Sequence, residues 1–386
     1  MIEHYIRGFE EELREIRHQI HENPELGLQE FKTSALVAEK LRQWGYEVEQ
    51  GLATTGIVAT LKVGDGEKSI GLRADMDALP MQERSGKPWA SQVEGRFHGC
   101  GHDGHTTTLL YAAEYLARTR QFTGTLQLIF QPAEELLYGG RVMVEDGLFD
   151  QFPCDAIFGL HNMPGQPLGK IGLRDGAMMA SSDTLHIEVK GVGGHGAVPE
   201  HTVDATLVAC HITLALQSIV SRNITPFEPA VVTVGSIQAG HAPNIINDHV
   251  LMKLTVRTLN EQVRETVLQR IHDIAVAQAE SFNATATLTH VNGSPVLRND
   301  PATNAMVREV ATALFGAEQV GEVKPFMGSE DFAFMLEQHP HGSYFTIGAG
   351  DEPDRCMVHN PGYDFNDALL LTGAALWCGL TERYLR

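Results

Sequence analysis

The feature that most restricts what this chain can fold into is a change of rhythm near residue 180. Before it, strands and amphipathic helices alternate. Residues 32–44 have helical spacing and stop at Gly45, residues 57–62 and 69–74 read as strands, 106–117 as a helix after a glycine-rich turn, and 124–130 as a buried strand. Such alternation predicts an α/β sheet with helices on both faces. After it, Leu185, Ile187 and Val189 alternate as in a half-buried strand. A helix over 203–221, strands over 231–238 and 250–258, a long helix over 261–282 and a strand over 284–291 come next. The order β, α, β, β, α, β is the ferredoxin-like split unit. The predicted architecture is therefore an α/β domain with a mixed sheet over residues 1–180 and 295–386, carrying an inserted ferredoxin-like α+β domain over 181–294. At the start of the chain, Ile2, Ile6, Phe9, Leu13, Ile16 and Ile20 mark an amphipathic surface helix that stops before Pro24.

Composition removes several function classes. With 29 Lys+Arg against 49 Asp+Glu the formal net charge is −20, which argues against a nucleic-acid partner, since such proteins present basic faces to phosphate. A 43% hydrophobic, 20% charged chain is ordinary for a globular protein, neither disordered nor fibrous. No apolar run approaches the ~20 residues of a membrane-spanning helix, so no membrane partner is expected. The opening MIEHYIRGFEEELREI lacks a basic stretch followed by an apolar one, so no secretory signal is read and a cytoplasmic protein is expected. Five cysteines, odd in number and scattered, suggest no disulfide framework; one with a special role should be a ligand or a nucleophile.

Candidate chemistry begins at Phe97-His98-Gly99-Cys100-Gly101-His102-Asp103-Gly104-His105. Cysteine and histidine two apart among glycines can face one cation, although a buried structural cysteine fits the same letters. Glu134 and Glu135 come directly after a predicted strand, at the carboxyl end where open α/β sheets place their sites. One could bind a metal while the other faces the reacting water; a solvated acidic pair at a helix start is the plainer alternative. His161-Asn162 and His359-Asn360 each come after an apolar run and are read at strand ends. Gly191-Val192-Gly193-Gly194-His195-Gly196 spells the dinucleotide-binding fingerprint after a strand, a rival reading that would make the chain a dehydrogenase. That reading needs a second parallel strand ending in an acidic residue, where helix interior is predicted instead.

The motifs together resemble the peptidase family M20 amidohydrolases, in the subgroup of hippurate hydrolases, N-acyl-amino-acid deacylases and auxin-conjugate hydrolases. The resemblance spans nearly the whole chain. It rests on His21-Glu22-Asn23-Pro24-Glu25-Leu26-Gly27, Arg73 to Pro80, the Cys100 motif, Gln131 to Glu135, His161-Asn162, Gly193-Gly194-His195, Pro243-Asn244, Gly328-Ser329-Glu330-Asp331-Phe332 and His359-Asn360-Pro361. It implies two divalent metal ions, Mn²⁺ or Zn²⁺ with Co²⁺ or Ni²⁺ as substitutes. Cys100 would bridge them, His102 and His161 would bind one, and Glu135 and His359 the other. Glu134 would be the general base. Asp75 and Asp77, where other branches carry a His-x-Asp ligand motif, would support ligands rather than bind metal. His195 would help hold the oxyanion, Asn244 and Arg257 would grip a substrate carboxylate, and Gly328 with Phe326 and Met327 would line the pocket. The inserted domain would serve as lid and dimerisation domain in a homodimer or higher oligomer.

The expected function is hydrolysis of the amide of a small N-acyl amino acid, with an N-acetyl, N-benzoyl or related acyl group, to a carboxylic acid and a free amino acid. A dipeptidase or carboxypeptidase using the same machinery is the near alternative, and a non-catalytic binding protein a further one. Two departures bear on the lid pocket: Glu200 stands where relatives often have histidine, and Asn247 where many have proline.

Overall fold

The computed structural model describes residues 7–386, so Ile2 and Ile6 of the first predicted helix lie outside the described residues. The chain divides into two compact units. The first consists of the chain up to Gly176 together with Arg298–Lys324 and Asp331–Arg386; the second consists of Ala177–Leu297 and Pro325–Glu330.

In the first unit, helix α1 (Glu10–Glu22) opens with three glutamates, which suit the positive end of a helix, and buries Leu13, Ile16 and Ile20. Helix α2 (Phe31–Gln43) buries Val37, Ala38 and Leu41 and closes with Lys40 and Arg42 in its last turn. Strands β1 (Glu47–Leu52), β2 (Gly56–Val63) and β3 (Ser69–Asp75) precede helix α3 (His102–Thr119), and β4 (Gly124–Gln131) succeeds it. Helix α4 (Gly139–Glu145) and strands β5 (Ala156–Met163) and β6 (Ile171–Leu173) end the first stretch.

Helix α3 starts four residues earlier than the sequence pattern predicts, so the glycine-rich turn is largely the helix's first turn. Gly101 caps it at φ 92°, a conformation that glycine adopts without penalty, and a Cβ there would fall 2.6 Å from Asn162 and from the Tyr363 hydroxyl. Gly104 lies inside the helix because a Cβ would sit 2.3 Å from the Phe365 ring. Its job is close packing, which a turn-based reading of glycine misses. The run from His102 to Ala117 is buried throughout, making α3 a core helix.

The second unit begins its sheet with β7 (Ser182–Lys190), continues through α5 (Ala205–Leu216), β8 (Ala230–Ala239), β9 (His249–Thr258) and α6 (Glu261–Ser281), and ends with β10 (Thr285–Ser294). The sheet order is β8-β9-β7-β10, every pair antiparallel, which is the ferredoxin-like arrangement expected from the element order. Both helices start where a side chain satisfies free amides: Asp204 accepts from the amides of Thr206 and Leu207, and Asn260 from those of Gln262 and Val263. They cover one sheet face, where Ile187, Val189, Met252, Leu254 and Val256 pack with Val208, Ile212, Val267 and Ile271. Among the described residues, Ala205–Asn223 is a helical stretch long and apolar enough to cross a membrane, with mean hydropathy 1.2. Its buried side, including Val208, Ala209, Ile212 and Leu216, belongs to this core.

The first unit resumes with α7 (Pro301–Phe315), β11 (Val320–Glu322), α8 (Phe332–Gln338), β12 (Gly342–Gly348) and α9 (Ala368–Tyr384). Its eight-stranded sheet runs β1-β2-β4-β3-β5-β12-β6-β11 and is mixed. The inner strands β4, β3, β5 and β12 are mutually parallel, with Asp75 in register with Gln131. Their carboxyl ends therefore share one edge, which gathers the side chains and loops at those ends into one place.

Candidate metal centre

Four segments converge at that edge. The start of α3 supplies Cys100 and His102, the turn after β4 supplies Glu134 and Glu135, β5 supplies His161, and a loop after β12 supplies His359. Ligand atoms of Cys100, His102 and His161 lie within 4.8 Å of one another, and so do those of Cys100, Glu135 and His359. Cys100 belongs to both groups. Its Sγ lies 3.3 Å from His161 Nε2, and Glu135 Oε1 lies 3.3 Å from His359 Nε2. Glu134 adjoins them, with an oxygen 4.0 Å from His102 Nε2, and only 7% of its surface is exposed, which excludes a freely solvated acidic pair. His359 departs from its expected place: residues 356–361 form no strand, and it sits exposed in a loop at φ 64°, its amide donating to the carbonyl of Gly99 at 2.7 Å.

Two of the imidazoles, His102 and His161, are oriented by their other nitrogen. His102 Nδ1 donates to Asp77 Oδ1 at 3.1 Å, turning Nε2 toward the ligand group. Asp77 Oδ2 accepts the Glu135 amide at 3.0 Å, so one carboxylate fixes members of both groups. His161 Nδ1 donates to the carbonyl of Asn162 at 2.5 Å, leaving Nε2 to Cys100. In a further grouping of Asp75, His102 and His105, the first and last are already paired within the protein. His105 donates to Asp75 at 2.7 Å and accepts the Asn162 amide at 3.1 Å, and Arg73 pairs with Asp75 at 2.8 Å.

The donor set fits a cation. His102 Nε2 is a buried polar atom with no hydrogen-bond partner among the described residues, an expense that a bound ion would remove. Burial brings His161 down to about 3, so it stands ready as a neutral ligand. Burial and then the Glu135 carboxylate raise the Cys100 thiol above its ordinary value. Contacts with Cys100 and Glu135 push His359 up to about 10. A thiol and a carboxylate that draw a proton onto a neighbour this strongly are a pair for a divalent cation to neutralise. Thiolate, imidazole and carboxylate together suit zinc or manganese.

In the second unit, two local pairs of predicted residues form. Gly194–His195 pairs antiparallel with Ile245–Ile246, and the carbonyl of Asn244 accepts the Gly196 amide at 2.8 Å, so His195 and Asn244 are neighbours. His195 Nδ1 accepts the Ala197 amide at 3.1 Å, which places its proton on Nε2. Arg257, half-buried on β9, donates to Ser329 Oγ at 3.0 Å, beside Gly328, where a Cβ would collide with the Phe326 ring. The fingerprint-like glycines of 191–196 come after β7, whose two neighbours β9 and β10 are both antiparallel; α5 leads on to β8, which lies beyond β9 and does not pair with β7, so no two adjacent parallel strands flank the loop. That topology removes the physical basis of the dehydrogenase reading.

Two residues to which the sequence reading assigns no role hold the carboxylate turn from behind: Glu30, on the Ala133 amide, and Asp331, on the amide of Gly140, on Gln131 and on Arg73. Asp331 lies within the Gly328-Ser329-Glu330-Asp331-Phe332 motif, so a signal was there to find it; Glu30 carries none.

Comparison with known proteins places these observations in a family context. The sequence model described as peptidase family M20/M25/M40 matches residues 71–383. A hippurate hydrolase of Campylobacter jejuni is 46% identical over 376 residues, 97% of each chain. A solved structure from methicillin resistant Staphylococcus aureus superposes with a TM-score of 0.94 at 32% identity, covering 100% of this chain and 99% of that one. A Bacillus subtilis structure described as a dinuclear metal binding peptidase of the M20 family superposes with a TM-score of 0.85 at 31% identity, covering 98% and 99%.

Proposed function

This chain belongs to peptidase family M20/M25/M40, and on that premise we propose that it is a dinuclear-metal amidohydrolase that splits small N-acyl amino acids into a carboxylic acid and a free amino acid. The observation that carries the reading is the pair of ligand groups sharing Cys100, with Glu134 beside them. Similarity to a hippurate hydrolase, whose name denotes an N-acyl amino acid substrate, supports the acyl-amino-acid class.

Amide carbons are poor electrophiles, and bound divalent cations supply the two things needed, a water of lowered pKa and a polarised carbonyl. In this reading Cys100, His102 and His161 hold one ion and Cys100, Glu135 and His359 the other, with Mn²⁺ or Zn²⁺ as the native metals. Glu134 takes the proton from the attacking water and returns it to the leaving nitrogen. His195 offers its Nε2 proton to the developing oxyanion, and Asn244 and Arg257 grip the carboxylate, a task suited to a guanidinium fork. Gly328 leaves room beside Arg257. We further assign residues 181–294 as the substrate-binding and dimerisation domain of a cytoplasmic homodimer. The exposed Leu207 and Leu214 on α5, together with the free edge of β8, support a self-association surface.

The test is amine release by metal-supplemented enzyme from matched N-acetyl, N-benzoyl and dipeptide substrates, with Glu134→Gln as blank. Hydrolysis of the acylated amino acids, lost in the variant, is expected. Cleavage confined to dipeptides would replace the reading with a peptidase.

A further inference from the structure

Glu30 is fully buried just ahead of α2, and no cationic side chain among the described residues pairs with it. Its two oxygens are both used. Oε1 accepts the amide of Ala133 at 2.9 Å, and Oε2 accepts the Thr55 hydroxyl at 2.6 Å. Burial lifts its carboxyl to about 7, against the pull of the Thr55 hydroxyl. A buried carboxylate without a cation burdens folding, so its benefit has to be sought in the contacts it makes.

Those contacts secure the turn that carries both site carboxylates. Ala133 has φ 53°, a left-handed conformation that residues with a Cβ rarely adopt unless their surroundings impose it. The loop leading to Glu30 presses on the same residue, since a Cβ on Gly27 would fall 2.9 Å from the Ala133 Cβ. On the other side of Glu134, the amide of Glu135 is held by Asp77 Oδ2 at 3.0 Å. The amides on either side of Glu134 are thus each tied to a different buried carboxylate. Glu134 itself is fixed between them, its carbonyl accepting the Leu137 amide at 2.7 Å.

We propose that Glu30 is a positioning residue for the reaction: by anchoring the Ala133 amide it imposes the left-handed turn that aims Glu134 at the attacking water. The proposal rests on the assignment of Glu134 as general base. A misplacement of this group affects the proton transfer more than substrate binding, so the signature is a loss in kcat with little change in KM.

The experiment compares Glu30→Gln, which keeps an acceptor for the Ala133 amide, with Glu30→Leu, which removes it. Thr55→Val serves as control for the other hydrogen bond. In each, kcat, KM, metal content per subunit and Tm are measured, with Glu134→Gln assayed in parallel. Glu30→Leu is expected to lose at least about tenfold in kcat while KM and metal content stay within about twofold of wild type. Glu30→Gln should recover most of that loss, and Thr55→Val should turn over normally. A folded, metal-loaded Glu30→Leu enzyme with wild-type kcat overturns the proposal, and so does a Gln variant as impaired as Leu. If Leu does not fold, Glu30→Ala is held to the same criteria. An active Glu134→Gln enzyme would instead remove the base assignment, whatever Glu30 does.

Discussion

His102 and His195 are the same side chain prepared for opposite tasks. In the first unit, His102 is buried on the first turn of a core helix, its Nδ1 proton given to Asp77 and its Nε2 left without a hydrogen bond. In the second, His195 is exposed on a two-residue ribbon and takes a backbone proton on Nδ1, so that Nε2 carries the hydrogen. In the proposed reading the first would present a lone pair to a cation and the second a proton to an anion. The supports differ as well. The ligand side is locked by buried carboxylates, Asp77 on His102 and Glu30 on Ala133, whereas His195 rests on backbone contacts at the surface. Loss of a ligand should therefore abolish the reaction, while loss of a substrate contact should weaken binding.

Cys100→Ala is the sharpest way to break that contrast. It removes the atom shared by both ligand groups, so metal content and activity should disappear together, as read by elemental analysis and turnover on the same sample. A variant with both metals and full rate would end the bridging assignment. Glu134→Gln comes next: metal content should stay at the wild-type level while kcat falls about 10²–10⁴-fold, the usual worth of a positioned base. Arg257→Ala tests the other side. Losing a charge-assisted hydrogen bond of about 1.5–3 kcal/mol should raise KM for carboxylate-bearing substrates about 10–100-fold and leave kcat nearly unchanged. An equal fall in kcat would show that Arg257 contributes to the transition state beyond binding.

The parts of this molecule that can be read from sequence are those specified locally. Alternation and helical spacing locate β3, β4, α2 and the ferredoxin-like order, because each depends on side chains near in sequence meeting one core. Strand β1, with the polar letters Glu-Val-Glu-Gln-Gly-Leu, lacks an apolar pattern because it is an edge strand with mostly exposed residues. His359 reads as a strand end because Cys356, Met357 and Val358 look like a strand; in the fold they form a loop, where a left-handed histidine needs the Gly99 carbonyl to hold it. Glu30 is invisible for the opposite reason. Its letter is ordinary, and its meaning lies in a contact 103 residues away.

The smallest effect concerns stability rather than turnover, and it tests how firmly the ligand side is built. On α1, His21 Nδ1 lies 2.8 Å from Asp103 and Nε2 lies 3.3 Å from Glu83, while Arg17 pairs with the same Asp103 at 3.0 Å. Asp103 is next to His102 in the chain, so this buried cluster braces the helix start that carries a ligand. Burial and the nearby Arg17 oppose a charge on His21, but the carboxylates prevail and raise it to about 9. The folded pKa is above the ordinary 6.5, so the stabilisation is fully present below pH 6.5 and is lost as pH rises through about 9. Urea unfolding across about pH 6 to 9.5 should show that decline, at most ~3 kcal/mol by the worth of a pKa unit. His21→Gln should flatten it. A variant whose stability falls with pH as steeply as wild type would place the titration elsewhere, and the bracing of His102 from α1 would then rest on Arg17 alone.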